Sequence, residues 1–188
     1  MASTKTDLKN RTWQKGQFFV STDTSLFPIE RVIEVFDSKD FYWAKSVPSE
    51  AMVEMLESSL SFGVYEQSLP GPDGSAGLTA EPKFIGIARL ITDYVTFGYL
   101  TDVWVDSTYQ GKGLGSWLIG CIQETIDQMP YLRRTMLFTA DWERSVPFYE
   151  KLLGMNVLEL PRGGGIALME IKGKGHPCYG QEGYAYDR

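Results

Sequence analysis

The sequence has little of what many hydrolases and metalloenzymes need, with one histidine and two cysteines among 188 residues. His176 and Cys178 lie in a C-terminal stretch rich in glycine and proline, and Cys121 falls on the apolar stripe of a predicted helix. A Ser-His or Cys-His mechanism needs a histidine base beside its nucleophile, and a zinc site needs several ligands at short spacing. The sequence therefore supports neither such a hydrolase nor a metal site, and its cysteines do not suggest a disulfide framework.

Positive charge is also scarce, because 18 lysines and arginines stand against 24 acidic residues and the net charge is −6. A nucleic-acid partner would require a basic patch that neutralises phosphates, and the basic residues are spread thinly. No apolar run is long enough to cross a membrane, and residues 1–16 lack the apolar core of a signal peptide. We therefore expect a soluble cytoplasmic protein with no nucleic-acid or membrane partner.

The most informative stretch is a glycine-rich turn between a predicted strand and a predicted helix. The strand ends with Val103, Trp104 and Val105, and the turn is Gln110-Gly111-Lys112-Gly113-Leu114-Gly115-Ser116. Apolar residues at a spacing of three to four then continue to Pro130, which is typical of an amphipathic helix. The first N–H groups of a helix have no partner within it, and the helix dipole is positive there. The turn therefore predicts a cradle for an anion such as phosphate.

Two familiar phosphate loops do not fit this spacing. A nucleoside-triphosphate loop places a Lys-Ser/Thr pair after its last glycine, whereas Lys112 lies between glycines and Gly115 is followed by Ser116 and Trp117. A dinucleotide loop would have an acidic residue about 20 positions further on, where residues 131–134 read Tyr-Leu-Arg-Arg. The alternative to an anion site is a glycine-rich turn that binds no ligand and only joins a strand to a helix.

The spacing Q-x-x-G-x-G that begins at Gln110 resembles the acyl-CoA pyrophosphate loop of the GNAT superfamily of N-acetyltransferases. A second apolar strand, 136–140, follows the helix, and Pro147-Phe148-Tyr149-Glu150-Lys151-Leu152-Leu153-Gly154 resembles the family's F-Y-x-K-x-G segment. The resemblance covers residues 17–171 in the order of elements, and its specific motifs lie within 99–155.

Periodicity and turn residues predict the elements on either side of this motif. Residues 1–16 are expected to form a mobile arm, residues 17–171 a single domain and residues 172–188 a loose tail. The predicted strands are 17–22, 62–66, 84–92, 99–106, 136–140, 155–158 and 166–170; the predicted helices are 29–36, 48–60, 114–129 and 143–153; residues 41–45 form an aromatic loop and 69–77 an exposed connection.

A strand, a long helix and a further strand without a tight turn predict a parallel βαβ unit. The resemblance implies an α/β fold with a mixed sheet of six to seven strands and helices on both faces. It also implies that the two parallel strands diverge beside the cradle, and that the pantetheine arm of acetyl-CoA, the expected co-substrate, lies in the gap. The residues implied to bind acetyl-CoA are Val103, Trp104, Val105, Gln110, Gly111, Lys112, Gly113, Leu114, Gly115 and Ser116.

Acyl transfer to an amine needs an acceptor for the amine's proton, a donor for the oxyanion and a proton for the leaving thiolate. Asp102 is the first candidate for the acceptor, because an ionised carboxylate among apolar neighbours is costly unless it is paired or functional. Asp93 and Glu66 are further candidates. The alternative for Asp102 is a structural carboxylate. Some family members carry a glutamate base eleven positions before the loop glutamine, and that position is Tyr99 in this sequence.

By the resemblance, Tyr149 is the general acid that protonates the departing CoA thiolate. The alternative is a buried tyrosine that packs its helix onto the sheet. The surrounding segment departs from the family at two positions, since Trp142 stands where an asparagine is usual and Leu153 is an additional residue before Gly154.

Taken with the resemblance, these features predict an acetyl-CoA-dependent N-acetyltransferase. It would acetylate a primary amine of a small molecule by direct attack in a ternary complex. The alternative is a non-catalytic acyl-CoA-binding module that regulates a partner. No motif identifies the amine, and a homodimer is compatible with the sequence.

Overall fold

The structure is a computed structural model and describes residues 5–67 and 81–157. In these ranges the strands are β1 Thr12–Lys15, β2 Phe18–Ser21, β3 Leu60–Glu66, β4 Lys83–Thr92, β5 Phe97–Val105 and β6 Arg134–Met136. The α-helices are α1 Lys5–Leu8, α2 Ile29–Phe36, α3 Ser49–Ser58, α4 Leu114–Ile126 and α5 Ser145–Leu153. Short 3₁₀ helices cover Thr24–Leu26, Lys39–Phe41 and Ser107–Tyr109.

The described strands form one mixed sheet of six strands in chain order, β1 to β6. Neighbouring strands from β1 to β5 pair antiparallel, and β5 pairs in parallel with β6. Helix α4 connects the parallel pair, so β5, α4 and β6 form the predicted βαβ unit. The mixed sheet with helices confirms the fold class expected from the sequence.

The described residues belong to two compact units. The first unit contains residues up to 33 and residues 47–138, and the second contains 34–46 and the residues from 139 onward. The whole sheet and helices α1, α3 and α4 therefore lie in the first unit, whereas α5 lies in the second. Helix α2 begins in the first unit and ends in the second.

The core of the first unit is built on the central strands β3 and β4, which are buried along almost their whole length. Tyr65 is the centre of an aromatic cluster, with its ring centroid 4.9 Å from that of Phe19, 6.3 Å from Phe27 and 5.8 Å from Phe84. Central strands buried on both faces explain why this part of the sequence reads as continuous apolar runs rather than alternation.

Helix α4 has the amphipathic character that its spacing predicts. Its buried residues include Leu114, Leu118, Cys121 and Ile122, which recur every three or four positions. The helix ends at Ile126, three residues earlier than expected, and Met129 beyond it is still buried.

Residues 1–16 were expected to form a mobile arm, but the described part of this stretch, from residue 5 onward, contains helix α1 and strand β1. Strand β1 pairs with β2 along its full length, from Thr12 opposite Ser21 to Lys15 opposite Phe18. Leu8 of α1 is completely buried. The strand was missed because its sequence, Thr-Trp-Gln-Lys, is polar and mostly exposed, as is usual for an edge strand.

The second parallel strand is shorter than predicted and lies earlier in the chain. We expected 136–140, but β6 is Arg134–Met136, because its ladder with β5 ends where Tyr99 faces Met136. Residues 155–157 do not form the predicted strand. Residue 158, the predicted strand at 166–170, the connection at 69–77 and the tail at 172–188 lie outside the described residues.

Candidate active site

The predicted cradle lies at the start of α4. Gly113 is the N-cap residue with a φ of 69°, and Gly111 has a φ of 79°, a left-handed conformation that residues with a Cβ avoid. The N–H of Trp117 donates to the carbonyl of Gly113 at 3.1 Å. The N–H groups of residues 114–116 therefore precede the first intrahelical bond, and together with the positive helix end they suit an anion.

Two lysines from different elements lie beside the cradle. The Nζ of Lys112, in the loop, is 4.6 Å from the ring centroid of Tyr109. The Nζ of Lys15, in β1, is 5.7 Å from the ring centroid of Trp117 and 3.7 Å from the point that a Cβ on Gly113 would occupy. Positive charge therefore reaches the helix N-terminus both from the loop and from the edge of the sheet.

Tyr109, the residue before the loop, ties the cradle to the sheet. Its hydroxyl donates to a carboxylate oxygen of Glu66 and accepts from the Nζ of Lys83 at 3.0 Å. The Nε2 of Gln17 donates to the other Glu66 oxygen at 2.7 Å. The Tyr109 hydrogen bond is the main cause of the lowered pKa of Glu66. Tyr109 is only 7% exposed, so these contacts fix the start of the loop to the ends of β3 and β4.

Strand β5 approaches the cradle with an irregular backbone. Its register with β4 shifts by one residue between Ile87 and Arg89, because Asp102 and Val103 together face a single residue of β4. This is a β-bulge. Asp102 has a φ of 54°, a value in the left-handed region that is uncommon for any residue other than glycine.

The parallel ladder between β5 and β6 covers only the first three residues of β5. Their ladder runs only from Phe97 opposite Arg134 to Tyr99 opposite Met136, and no other described strand pairs with this edge of β5. We call the edge of Leu100–Val105 that points away from β4 the free edge of β5. It includes the three strand residues implied to bind acetyl-CoA, and an unpaired strand edge can pair with an extended ligand.

Asp102, the first candidate for the proton acceptor, is one partner of a buried ion pair. It is 6% exposed, and its Oδ2 accepts from the Nε of Arg89 at 2.6 Å. The Nη1 of Arg89 also donates to the carbonyl of Met55 and to the Oγ of Ser59, both at 3.3 Å. A shielded carboxylate paired in this way has the environment of a structural group, so the geometry favours the alternative role for Asp102.

The other two candidate carboxylates are also engaged. Asp93 lies in the turn before β5 and accepts from the hydroxyl of Thr96 at 2.7 Å and from the N–H groups of Val95, Thr96 and Phe97 at 3.0, 2.7 and 3.0 Å. The Thr96 hydroxyl first, and then these N–H groups, hold the pKa of Asp93 well below its usual range. Glu66 is bonded to its two partners at the cradle. Because all three carboxylates are already bonded to other groups, the geometry does not single out any of them as the base that takes the amine's proton.

Tyr149 belongs to the second unit, in α5. The helix covers the predicted segment and ends at Gly154, which has the left-handed φ of 62° that is typical of a helix C-terminal glycine. Burial raises the pKa of Tyr149 to about 12. Its ring meets the neighbouring Phe148 ring edge-on, with 5.2 Å between centroids. The helical placement agrees with the sequence, and the catalytic role stays a prediction.

Residues 5–67 and 81–157 lack two features, a membrane-spanning helix and a metal-binding cluster. None of the helices there is both long and apolar enough to cross a membrane. The same residues contain no cluster of three or more histidine, cysteine or acidic side chains that could hold a metal ion.

A short parallel strand pair followed by a glycine cradle at a helix N-terminus is the arrangement that the resemblance to the GNAT acetyltransferases predicts. The comparison with family models agrees, because the acetyltransferase (GNAT) family matches residues 33–155. The chain belongs to this family.

Individual relatives support the assignment. The protein of Gibberella zeae called putative acetyltransferase FG08082 is 35% identical over 173 residues, which are 89% of this chain and 96% of the relative. A crystal structure of a GNAT-family protein from Xanthomonas campestris pv. campestris has 30% sequence identity and a TM-score of 0.61, and the match covers 86% of this chain and 97% of that one. The glucosamine 6-phosphate N-acetyltransferase of Trypanosoma brucei brucei is 39% identical over 79 residues, which are 42% of this chain and 48% of the relative.

Sequence reasoning missed three residues that shape this region. Arg89 is a lone charge within the apolar run of β4, and a buried charge of this kind signals a buried partner. Tyr109 directly precedes the loop motif, but its bonds depend on strands that are distant in the sequence. Lys15 had no sequence signal, because it comes from the edge strand that was assigned to an arm.

Proposed function

We propose that this chain transfers the acetyl group of acetyl-CoA to a primary amine of a small molecule, by direct attack of the amine in a ternary complex. The observation that carries the proposal is that the free edge of β5 ends at Val105, and that only Asp106 and the 3₁₀ helix Ser107–Tyr109 connect it to the loop of the cradle. An extended amide-containing arm can pair with such an edge while a pyrophosphate at its end binds the helix N-terminus. Membership of the acetyltransferase family supports the same reaction class.

The residues of the cradle fit the phosphate end of CoA. Gln110, Gly111 and Lys112 are exposed, and a Cβ on Gly111 or Gly115 would meet no atom within 4 Å, so backbone N–H groups are open to approach. Lys112 and Lys15 add positive charge at the same place. The site therefore offers both hydrogen-bond donors and cations to a charged phosphate.

The reaction proceeds by addition and elimination at the thioester. The amine nitrogen attacks the acetyl carbonyl carbon, and the carbonyl electrons move onto oxygen. When they return, the C–S bond breaks, and the nitrogen, which became positively charged on attack, releases a proton to water, leaving a neutral amide and the CoA thiolate. A backbone N–H on the free edge, at Val103 or Val105, would donate to the oxyanion as its charge develops. We propose that the Tyr149 hydroxyl donates a hydrogen bond to the departing thiolate, which takes its proton finally from water. The Phe148-Tyr149 segment suggests this donor role by its resemblance to the family.

The amine must lose a proton before or during its attack. Asp102, Asp93 and Glu66 are each already bonded to other groups, so we propose that the amine gives its proton to water before it attacks. The rate at subsaturating amine then rises with pH until the amine itself is largely neutral.

The nature of the acceptor has limited support from the relatives. The Trypanosoma brucei brucei protein is named for the acetylation of an amino sugar phosphate, and it matches less than half of this chain. A small primary amine is therefore the class to test first, with amino sugars and their phosphates included in the panel.

The experiment is a thiol-release assay with acetyl-CoA against polyamines, amino sugars and their phosphates, arylamines, amino acids and peptide N-termini. Mass spectrometry of the product must show one added acetyl group on the amine, and calorimetry must show CoA binding to the wild type. Binding of CoA without amine-dependent thiol release would instead favour a non-catalytic acyl-CoA-binding module. Absence of both would reject the proposed function.

A further inference from the structure

The Arg89–Asp102 pair connects the interior of the sheet to the free edge of β5. Both residues are almost completely buried, at 8% and 6% exposure. Arg89 is held from its other side by the carbonyl of Met55 and the hydroxyl of Ser59, at the end of α3. Its guanidinium is therefore fixed in place by three acceptors from two elements, and Asp102 is the acceptor that belongs to β5.

Asp102 lies at the bulge itself. Its φ of 54° is unfavourable for a residue with a Cβ, although aspartate and asparagine tolerate it better than most. Such a conformation persists only where surrounding contacts enforce it. The Asp102 carboxylate accepts from the Nε of Arg89 at 2.6 Å and from the Thr101 hydroxyl at 3.4 Å, and the shift in register occurs at the same residues.

We propose that Arg89 and Asp102 are a positioning pair for acetyl transfer: they hold the β5 bulge and so set the direction of the free edge, along which the thioester must be aligned. This inference rests on the proposed function for its catalytic part. Phosphate binding at the cradle does not depend on the pair, because the start of the loop is fixed separately by Tyr109. Loss of the pair should therefore lower kcat with little effect on the affinity for CoA.

The choice of substitutions separates this role from that of a base. Asp102→Asn removes the basicity but keeps a side-chain oxygen that can accept from Arg89, and asparagine tolerates the left-handed backbone. Asp102→Ala removes both. Arg89→Met removes the donor and keeps the Asp102 side chain, so this variant carries the test if Asp102→Ala does not fold. The control is Glu54→Gln, which also removes one negative charge, but at an exposed position of α3.

Two measurements are made on each variant. Hydrogen–deuterium exchange on the ligand-free protein compares the peptide 100–106 with the cradle peptide 107–116. Steady-state kinetics and CoA calorimetry then compare kcat with affinity. We expect Asp102→Ala and Arg89→Met to exchange at least fivefold faster in 100–106, with 107–116 unchanged. Their kcat should fall at least tenfold while the Kd for CoA changes less than threefold. Asp102→Asn should stay within about threefold of wild type in both measurements, and Glu54→Gln should match wild type.

Two results would overturn the proposal. Unchanged exchange in 100–106 for both Asp102→Ala and Arg89→Met would show that the pair does not hold the bulge, whatever the activity. Wild-type exchange in Asp102→Asn together with a loss of kcat as large as that of Asp102→Ala would return Asp102 to the role of base. If the wild type neither binds CoA nor acetylates an amine, the proposed function and the catalytic part of this inference fail, while exchange still decides whether the pair holds the bulge.

Discussion

The ammonium of Lys15 lies 3.7 Å from the point that a Cβ on Gly113 would occupy, so the edge strand β1 brings a positive charge to the N-cap of α4. The same ammonium is 5.7 Å from the ring centroid of Trp117, in the first turn of the helix. The anion cradle is therefore assembled from two distant parts of the chain, and its charge does not come only from the glycine motif.

Lys15→Ala should weaken CoA binding by about two- to fivefold, because an exposed charge contact contributes only about 0.2–1 kcal/mol. The loss should shrink in high salt, where such contacts are screened. Calorimetric titration at low and high ionic strength measures both effects. The control is Lys5→Ala, which removes the same charge beside the Tyr94 ring, at the opposite end of β5. Equal CoA affinities of wild type and Lys15→Ala at low salt would show that Lys15 does not contribute to phosphate binding at the cradle.

Gly113→Glu should abolish measurable CoA binding. A carboxylate at this position would occupy the anion site, and the φ of 69° would strain any residue with a Cβ. Gly120→Glu is the matched control, since it adds the same charge to the same helix where a Cβ meets no atom within 4 Å. CoA calorimetry and circular dichroism are recorded on both variants. A folded Gly113→Glu protein that binds CoA as the wild type does would reject the cradle as the phosphate site.

Tyr109→Phe should lower stability by about 1–3 kcal/mol, because it breaks the bond to Glu66 and leaves the carboxylate with one fewer donor. It should also weaken CoA binding, since the loop loses its attachment to β3 and β4. Tyr65→Phe is the comparison, because the Tyr65 hydroxyl is buried and has no hydrogen-bond partner among the described residues. Removing that hydroxyl should be neutral or stabilising. Urea denaturation of both variants checks the contrast, and equal losses would contradict it.

Asp93→Asn should make the melting temperature less dependent on pH in the acidic range. The hydrogen bonds from Thr96 and from three backbone N–H groups lower the pKa of Asp93 in the folded state. A lowered pKa stabilises the fold above the unfolded value near 3.9, and this contribution is lost as the pH falls below it. Wild type should thus melt higher than Asp93→Asn at pH 7, and the gap should narrow as the pH falls below about 4. A gap independent of pH would show that the charge of Asp93 is irrelevant to the turn.

The sequence predicted the parts of this fold that depend on local patterns. Gly113 and the apolar spacing placed the start of α4 correctly, and the apolar run 84–92 placed β4 within one residue. The pattern could not predict where β6 ends, because that depends on the direction of β5 rather than on residues 136–140 themselves. Edge strand β1 was missed since its exposed face carries polar residues.

The site was predicted less completely than the fold, for a related reason. The glycine loop is a local motif, whereas the pairing of Arg89 with Asp102 requires the register between two strands and a bulge in one of them. A sequence shows that Asp102 lies among apolar neighbours but not which cation reaches it. From the sequence alone the aspartate is therefore a candidate base, and its ion pair with Arg89 is visible only in the folded structure.

Tyr149→Phe tests the proposed hydrogen bond from Tyr149 to the departing CoA thiolate. Burial raises the pKa of Tyr149 to about 12, whereas an ordinary thiol titrates near 8.5, so complete proton transfer to a free thiolate would be uphill by about 5 kcal/mol. The hydroxyl can still help by donating a hydrogen bond to sulfur while the C–S bond breaks, with the proton supplied finally by water. On this basis kcat should drop at least tenfold in Tyr149→Phe, with the Kd for CoA and the melting temperature nearly unchanged.

The raised pKa also fixes the pH dependence of this step. A group with a pKa of about 12 keeps its proton throughout the range in which the enzyme can be assayed, so wild-type kcat should show no basic limb from Tyr149 below about pH 11. The control is Tyr131→Phe, which removes a hydroxyl from a tyrosine that is 70% exposed and should leave kcat unchanged. If kcat of Tyr149→Phe stays within twofold of wild type on a true substrate, the tyrosine only packs its helix, and the thiolate departs without help from this side chain.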